Sequence, residues 1–312
     1  MNTYKRMLAA TVAGLATLST PALAEGEQVI KVPGFADFLA VDGDTVWTTN
    51  RGRVEQWSHV KKLAEVPLGH PCGAMSIAAG SLWVADCGAG TVNRIDIASG
   101  KLVAAIYTGI ANPKGELNVA AGGGSVWVAN NPNGEVARID PATNTIMARI
   151  TVDPGTWYLA FGLGKLWAVS ADQQSLQRID PATNTVTGRT ALGKTPGFLA
   201  AGEGAVWVQE QGDGTLARVD PESVTVTTRI KVGDNLKWGD IDTGDGKVWL
   251  RTTDDQVFAV IDAATNAISA RWGKAAGSGA LRFTPEGVWT TAHDEHTLSW
   301  WPRALLQNPP GN

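Results

Sequence analysis

A short phrase returns seven times along this chain of 312 residues, and few folds accommodate such a rhythm. The copies read "GDTVWTTN", "GSLWVADC", "GSVWVANN", "GKLWAVSA", "GAVWVQEQ", "GKVWLRTT" and "EGVWTTAH", and carry Trp47, Trp83, Trp127, Trp167, Trp207, Trp249 and Trp289. Their spacings are 36, 44, 40, 40, 42 and 40 residues. Self-similarity at such a period means one supersecondary unit repeated, with a core that forms only when neighbouring units stack.

A second phrase follows the aromatic in most copies: "NRIDIASGKLVAAI", "ARIDPATNTIMARI", "QRIDPATNTVTGRT", "ARVDPESVTVTTRI" and "AVIDAATNAISARW". Asp and Asn side chains bond their own backbone and Pro presets φ, so Asp-Pro-Ala-Thr-Asn separates two alternating runs as a turn between strands. Each unit therefore holds four short strands: A before a glycine turn, B with the tryptophan, C ending in Ile-Asp, and D after the Asp-Pro turn. Four strands in about 40 residues is the period of a propeller blade. A solenoid is the weaker reading, since leucine-rich and helical repeats need other periods and patterns and Gly, Val and Thr argue against helix.

Closure follows from the two ends. After Trp289 the last unit has a strand C in "HTLSWWPR" but no fourth strand, while "EQVIKVPG" near the start matches strand D phrases such as "TTRIKVGD". The expected fold is an all-β, seven-bladed β-propeller of four-stranded blades, closed by the N-terminal strand completing the last blade. Pairing the chain's ends removes exposed edges. The propeller is expected over residues 25–306, with 307–312 a loose tail.

Residues 1–24 read as a signal peptide: Lys5 and Arg6 precede an apolar run that ends in Ala22-Leu23-Ala24. No later segment approaches the roughly 18 apolar residues of a spanning helix. The expectation is a periplasmic or secreted monomer with no membrane insertion. A net charge of -4 gives no electrostatic reason to expect nucleic acid as a partner.

The Val/Leu-Trp units, the "NP-x-G" and "HP-x-G" openings and the Arg-Ile-Asp closings together resemble the streptogramin lyase (virginiamycin B lyase) type of propeller. The Ile-Asp-Pro-Ala-Thr-Asn phrase is similar to YVTN-type repeats. The resemblance covers the whole mature chain and implies an elimination reaction assisted by a divalent cation. In that family a metal-binding Glu and a general-base His flank a proline before a strand A, helped by a second Glu and a further His. Here the matching linker is His70-Pro71-Cys72-Gly73, and no linker offers Glu-Pro-His. The family's mechanism therefore does not carry over intact.

Residues that recur once per blade are what packing between sheets demands, so function is sought among residues that differ. The D-to-A linkers and the ends of strand B surround one mouth of the channel. Candidates for ligand binding there are Arg51, Lys114, Asn130, Trp157, Tyr158, Glu210, Lys237, Trp238 and Arg251. They suit a small polar or aromatic molecule, with a partner protein as the other occupant. Were the protein an enzyme, a lyase is the first expectation, with His70, Asp86, Glu210 and His293 as catalytic candidates. His70, His293 and His296 are the metal candidates.

Cys72 and Cys87 bracket one A–B hairpin whose turn is centred on Ala79-Gly80. Counting outward from that turn sets them directly opposite each other, at the approach of about 4.5 Å that a non-hydrogen-bonded pair allows. The expectation is a disulfide. Two free thiols beside His70 would instead suit a metal.

Overall fold

A computed structural model describes residues 26–112, 116–234, 236, 239–252 and 257–307. The expected signal peptide and residues 308–312 of the expected tail lie outside the described residues. Twenty-eight strands form seven four-stranded antiparallel sheets in a ring.

The first blade holds β2 (Leu39–Asp42), β3 (Thr45–Asn50), β4 (Arg53–Trp57) and β5 (Lys62–Pro67), and the second β6 (Pro71–Ala78), β7 (Ser81–Asp86), β8 (Thr91–Asp96) and β9 (Lys101–Tyr107). The third has β10 (Val119–Gly122), β11 (Ser125–Asn131), β12 (Glu135–Asp140) and β13 (Thr145–Thr151). The fourth has β14 (Thr156–Gly162), β15 (Lys165–Ser170), β16 (Ser175–Asp180) and β17 (Thr185–Ala191). In the fifth are β18 (Pro196–Gly202), β19 (Ala205–Glu210), β20 (Thr215–Asp220) and β21 (Thr225–Lys231). The sixth contains β22 (Ile241–Gly244), β23 (Lys247–Arg251), β24 (Phe258–Asp262) and β25 (Ile268–Trp272). The seventh has β26 (Leu281–Thr284), β27 (Gly287–Ala292) and β28 (Thr297–Pro302), and takes its outer strand from β1 (Gln28–Lys31) at the other end of the chain. A helical turn, α1 (Arg303–Leu306), follows β28.

Strand A of each blade contacts strand A of the next, and β26 meets β2 to close the ring. The A–B turns explain why glycine recurs before each tryptophan strand. In Leu163-Gly164 both central residues have positive φ, 54° and 72°, the geometry whose twist matches the flanking strands.

The seven repeat tryptophans are buried, six of them fully. Each contributes roughly 4–6 kcal/mol of transfer free energy before ordering costs are subtracted. In blades two to six the indole N–H donates to the carbonyl five residues earlier, as Trp127 does to Gly122 at 3.2 Å.

The arginine of the Arg-Ile-Asp phrase links adjacent blades. Arg94 pairs across the ladder with Trp83, its guanidinium lies 5.3 Å from that ring, and it donates to Pro141 O and Asn144 Oδ1 in the third blade. Arg138 repeats this toward Pro181 and Asn184, and Arg218 reaches Asn266. Where the turn has Val224 in place of Asn, Arg178 takes the carbonyls of Pro221 and Glu222.

At the junction of blades seven and one a different contact stands in the same place. Trp300 pairs with Trp289 at the position of the arginine, and His59, from the C–D turn of blade one, stacks at 4.7 Å on Trp289 and edge-on at 4.6 Å to Trp300.

Candidate functional site

The channel mouth on the face of the D-to-A linkers opens into a cavity of about 670 Å³. Six blades contribute to its wall. Phe35, Asp37 and Phe38 come from the linker into blade one, His70 to Gly73 from blade two, and Asn112 and Glu116 from blade three. Phe198 comes from blade five, Gly239 from blade six, and Ser278, Gly279, His293 and Asp294 from blade seven. Phe38 and Phe198 face each other with ring centroids 6.0 Å apart, and Tyr158 meets Phe198 edge-on at 4.9 Å.

Asp37 is held from both sides of its backbone. Its N–H donates to Thr49 O at 3.1 Å, and its carbonyl accepts from Thr291 Oγ1 at 2.5 Å. Burial pushes its carboxyl from 3.8 up to about 8, with the Glu116, Asp240 and Asp294 carboxylates adding to the rise and Arg251 opposing it. Tyr158 Oη donates to Glu116 Oε2 at 2.8 Å, and burial beside that carboxylate raises the phenol well above its usual range. His293 stacks on Phe35 at 4.0 Å with Nδ1 2.8 Å from Asp294 Oδ1. Burial lowers the His293 imidazole below 6.5, against the opposing pull of Asp294.

Of the ligand candidates, Arg51 stands at the cavity rim with its guanidinium 5.6 Å from the Phe35 ring. Tyr158 supports the wall through Glu116 and Phe198. Arg251 is fully buried, donates to the carbonyls of Thr252, Val257, Gly277 and Thr291, and has its pKa lowered to about 10 by burial. Trp157 lies in the core between blades three and four. Lys114, Lys237 and Trp238 lie outside the described residues.

Asp86, Asn130 and Glu210 share a different placement. Each ends or nearly ends a strand B, and each turns back onto its own blade. Asp86 accepts from the backbone N–H groups of His70, Gly88 and Ala89. Glu210 accepts from Gly193 N, Thr215 Oγ1 and Arg229 Nε, and Asn130 Nδ2 donates to Glu135 Oε1 at 2.8 Å. Asn50 does the same in blade one, accepting from Phe35 N and Arg51 N. In Asn50, Asp86 and Glu210 the polar side chain fastens the D-to-A linker to its own blade, satisfying backbone donors that no ladder reaches, whereas Asn130 ties strand B to strand C through Glu135.

His70 is exposed at the cavity rim, and His293 lines the wall. His296 sits at the ring closure, with Nδ1 2.8 Å from Gly34 O and its carbonyl accepting from Val32 N. Among the described residues no group of three or more His, Cys, Asp or Glu is placed to hold a metal ion.

Cys72 and Cys87 are joined by a disulfide, with Cα atoms 6.0 Å apart, and both line the cavity. Their register differs from the direct opposition expected. Cys72 pairs with Ala85, because the A–B ladder shifts by two residues between Cys72 and Ser76. Gly73 has φ 75°, and a Cβ there would collide with the Leu117 carbonyl. The strand bends to let Ala74 N donate to Leu117 O at 2.9 Å in the next blade. A slip of two residues keeps both side chains on one face, so the bridge forms diagonally.

No family model matches the chain, and no curated protein matches it. Solved structures do. A streptogramin B lyase superposes with a TM-score of 0.74 at 15% identity, over 88% of this chain and 97% of that one. The fold is the streptogramin lyase propeller. Selenomethionine-substituted virginiamycin B lyase from Staphylococcus aureus gives a TM-score of 0.73 at 17% identity, over 88% and 98% of the two chains. Measured against the streptogramin lyase linker pattern, this chain has a disulfide-bonded cysteine, Cys72, after the proline of His70-Pro71.

Phe35, Asp37, Phe38 and Phe198 were not among the expected site residues. An alignment of the blades on the residue opposite each tryptophan finds the last three. Two positions before that residue stand Phe38, Ala74, Asn118, Tyr158, Phe198, Asp240 and Ala280 in turn, and Asp37 directly precedes the first.

Proposed function

We propose that this is an exported β-propeller that binds a small molecule, with polar and apolar parts, in the cavity at its channel mouth. The observation that carries the reading is the cavity itself. At about 670 Å³ it lies within the range of small-molecule sites, and it is concave and lined by aromatic rings, carboxylates, imidazoles and a guanidinium. A partner protein would instead be read by a flatter surface of larger extent. Export is supported by the disulfide and by the leader-like residues 1–24.

The test is a thermal-shift screen of the mature protein against small exported metabolites, repeated on Phe35→Ala and His70→Ala. Hits that lose their shift in both variants support the reading. Hits that persist unchanged in both place binding elsewhere.

A second reading is a lyase-like or hydrolase-like enzyme working with a divalent cation. Its support is Asp37, an acid held near neutrality inside a cavity, which is the property expected of a group that moves protons. Metal analysis of untagged protein, with activity on any screened hit measured before and after chelation, separates the two. Turnover lost on chelation and restored by added cation favours the enzyme. Binding without turnover favours the first reading.

A further inference from the structure

We propose that the cavity takes a protonated primary or secondary amine carrying a compact apolar group, with the ammonium on Asp37 and the apolar part against Phe35, Phe38 and Phe198. This rests on the small-molecule reading above and narrows it to a chemical class.

The first observation is an acceptor without a donor. Asp37 lines the cavity and its side chain accepts no hydrogen bond from any described residue, whereas Asp86 and Glu210 in the same ring are filled with N–H groups. A carboxyl partly exposed to the cavity and met by no donor of the protein is open to one that a ligand supplies. Its backbone is pinned by Thr49 and Thr291, so the position is rigid before any ligand arrives.

The second observation is the sign of the surroundings. Glu116 and Asp294 line the same cavity, and Asp240 lies near enough to act on Asp37. The cation that acts on Asp37 is already engaged, since Arg251 donates to four backbone carbonyls, and Arg282 is paired with Asp240 at 2.6 Å. Arg51 stands outward at the rim, over Phe35. A ligand with positive charge therefore finds several acceptors, and an anionic one finds repulsion.

The third is the aromatic wall. Three phenylalanines line the cavity around these carboxylates, supplying apolar area and ring faces that attract a cation. An N–H-bearing ammonium satisfies Asp37 directly, which a quaternary ammonium does not.

The groups facing Asp37 are Glu116, Asp240, Asp294 and Arg251, with His70, His293 and Arg51 elsewhere on the cavity wall. Since the empty site holds a proton on Asp37 up to about pH 8, capture of an ammonium near neutrality releases close to one proton.

Calorimetric titration of the mature protein with phenethylamine, 2-phenylethanol, 3-phenylpropionate and trimethylphenethylammonium tests this at about pH 7. Phenethylamine is expected to bind at least about tenfold tighter than the other three, the range of a charge-assisted bond. Its apparent enthalpy should vary with the ionisation enthalpy of the buffer, as proton release demands. Asp37→Asn should lose at least about tenfold in affinity and the proton release together, while Lys101→Gln, exposed on β9, retains both. If Asp37→Asn fails to fold by circular dichroism, Glu116→Gln replaces it, with the buffer dependence of the wild type as the second measurement. Equal binding of the alcohol or the carboxylate in a Phe35-dependent manner overturns the amine inference and leaves the small-molecule reading intact. No binding by any probe alongside positive metabolite hits does the same. Failure of both the probes and the metabolite screen removes both.

Discussion

Single residues in the C–D turns do more than reverse the chain. Asn144 sits in the left-handed region with φ 59° and offers Oδ1 to Arg94 from the preceding blade at 3.0 Å. Replacing it by Val would place a β-branched side chain where its backbone is strained and would leave Arg94 short of an acceptor. Asn144→Val should cost about 1–3 kcal/mol, read as a shift in the urea midpoint at constant slope. Asp37 gives a second prediction at this scale. Its folded pKa stands above the unfolded value, so its contribution to stability is complete below about pH 3.8 and is lost as pH rises toward 8. Asp37→Asn mimics the protonated form. The melting temperature of the variant should match the wild type near pH 4 and exceed it progressively up to about pH 8; an unchanging difference would mean that Asp37 ionises normally in the fold.

At the scale of elements, the β6–β7 hairpin and the seam between blades seven and one respond to different conditions. The Cys72–Cys87 bridge closes a loop with a sequence separation of 15, for which chain entropy gives about 3 kcal/mol. Reduction should lower stability by roughly that amount, and thiol titration of the unfolded, unreduced protein should find no reactive cysteine. At the seam, burial lowers the pKa of His59 below 6.5, with Asp44 opposing. A histidine depressed in this way supports the fold above its unfolded pKa and ceases to as pH falls through the folded one. Wild-type protein should therefore lose stability below about pH 6.5, and His59→Phe, which keeps a ring between Trp289 and Trp300, should lose less over the same range. Parallel pH profiles for the two proteins would assign the acid sensitivity to another group.

For the whole molecule, the architecture was legible because it is written in local chemistry. Trp-centred strands, Gly turns and Asp-Pro turns each announce themselves within about ten residues, and seven copies leave little freedom in assembly. Ring closure was readable for the same reason, since the phrase in β1 matches the strand D phrases. The site was readable only in part. The sequence located the face and placed Arg51, Tyr158 and His293 near the mouth, and His70 on its rim. It gave no means of telling an outward polar residue from one folded back onto its own blade, which is why Asp86, Asn130 and Glu210 looked alike beforehand. Asp37 escaped notice because its environment is assembled from Glu116, Asp240, Asp294 and Arg251, separated from it by up to 257 positions in the sequence. Long-range electrostatics of that kind leaves no short motif.

The arginine links between blades run in one direction, from each of blades two to five into the turn of the blade that follows. Blades three, four and five each carry both a plug and a socket, so any of them can be exchanged for a neighbour, or duplicated, with both joints preserved. Blade six offers only a socket and blade two only a plug, so blades six, seven, one and two would have to be transplanted as a set. Engineering of a larger or hybrid ring from this chain therefore has a natural place to cut, and it lies on the far side of the molecule from the junction of its two ends.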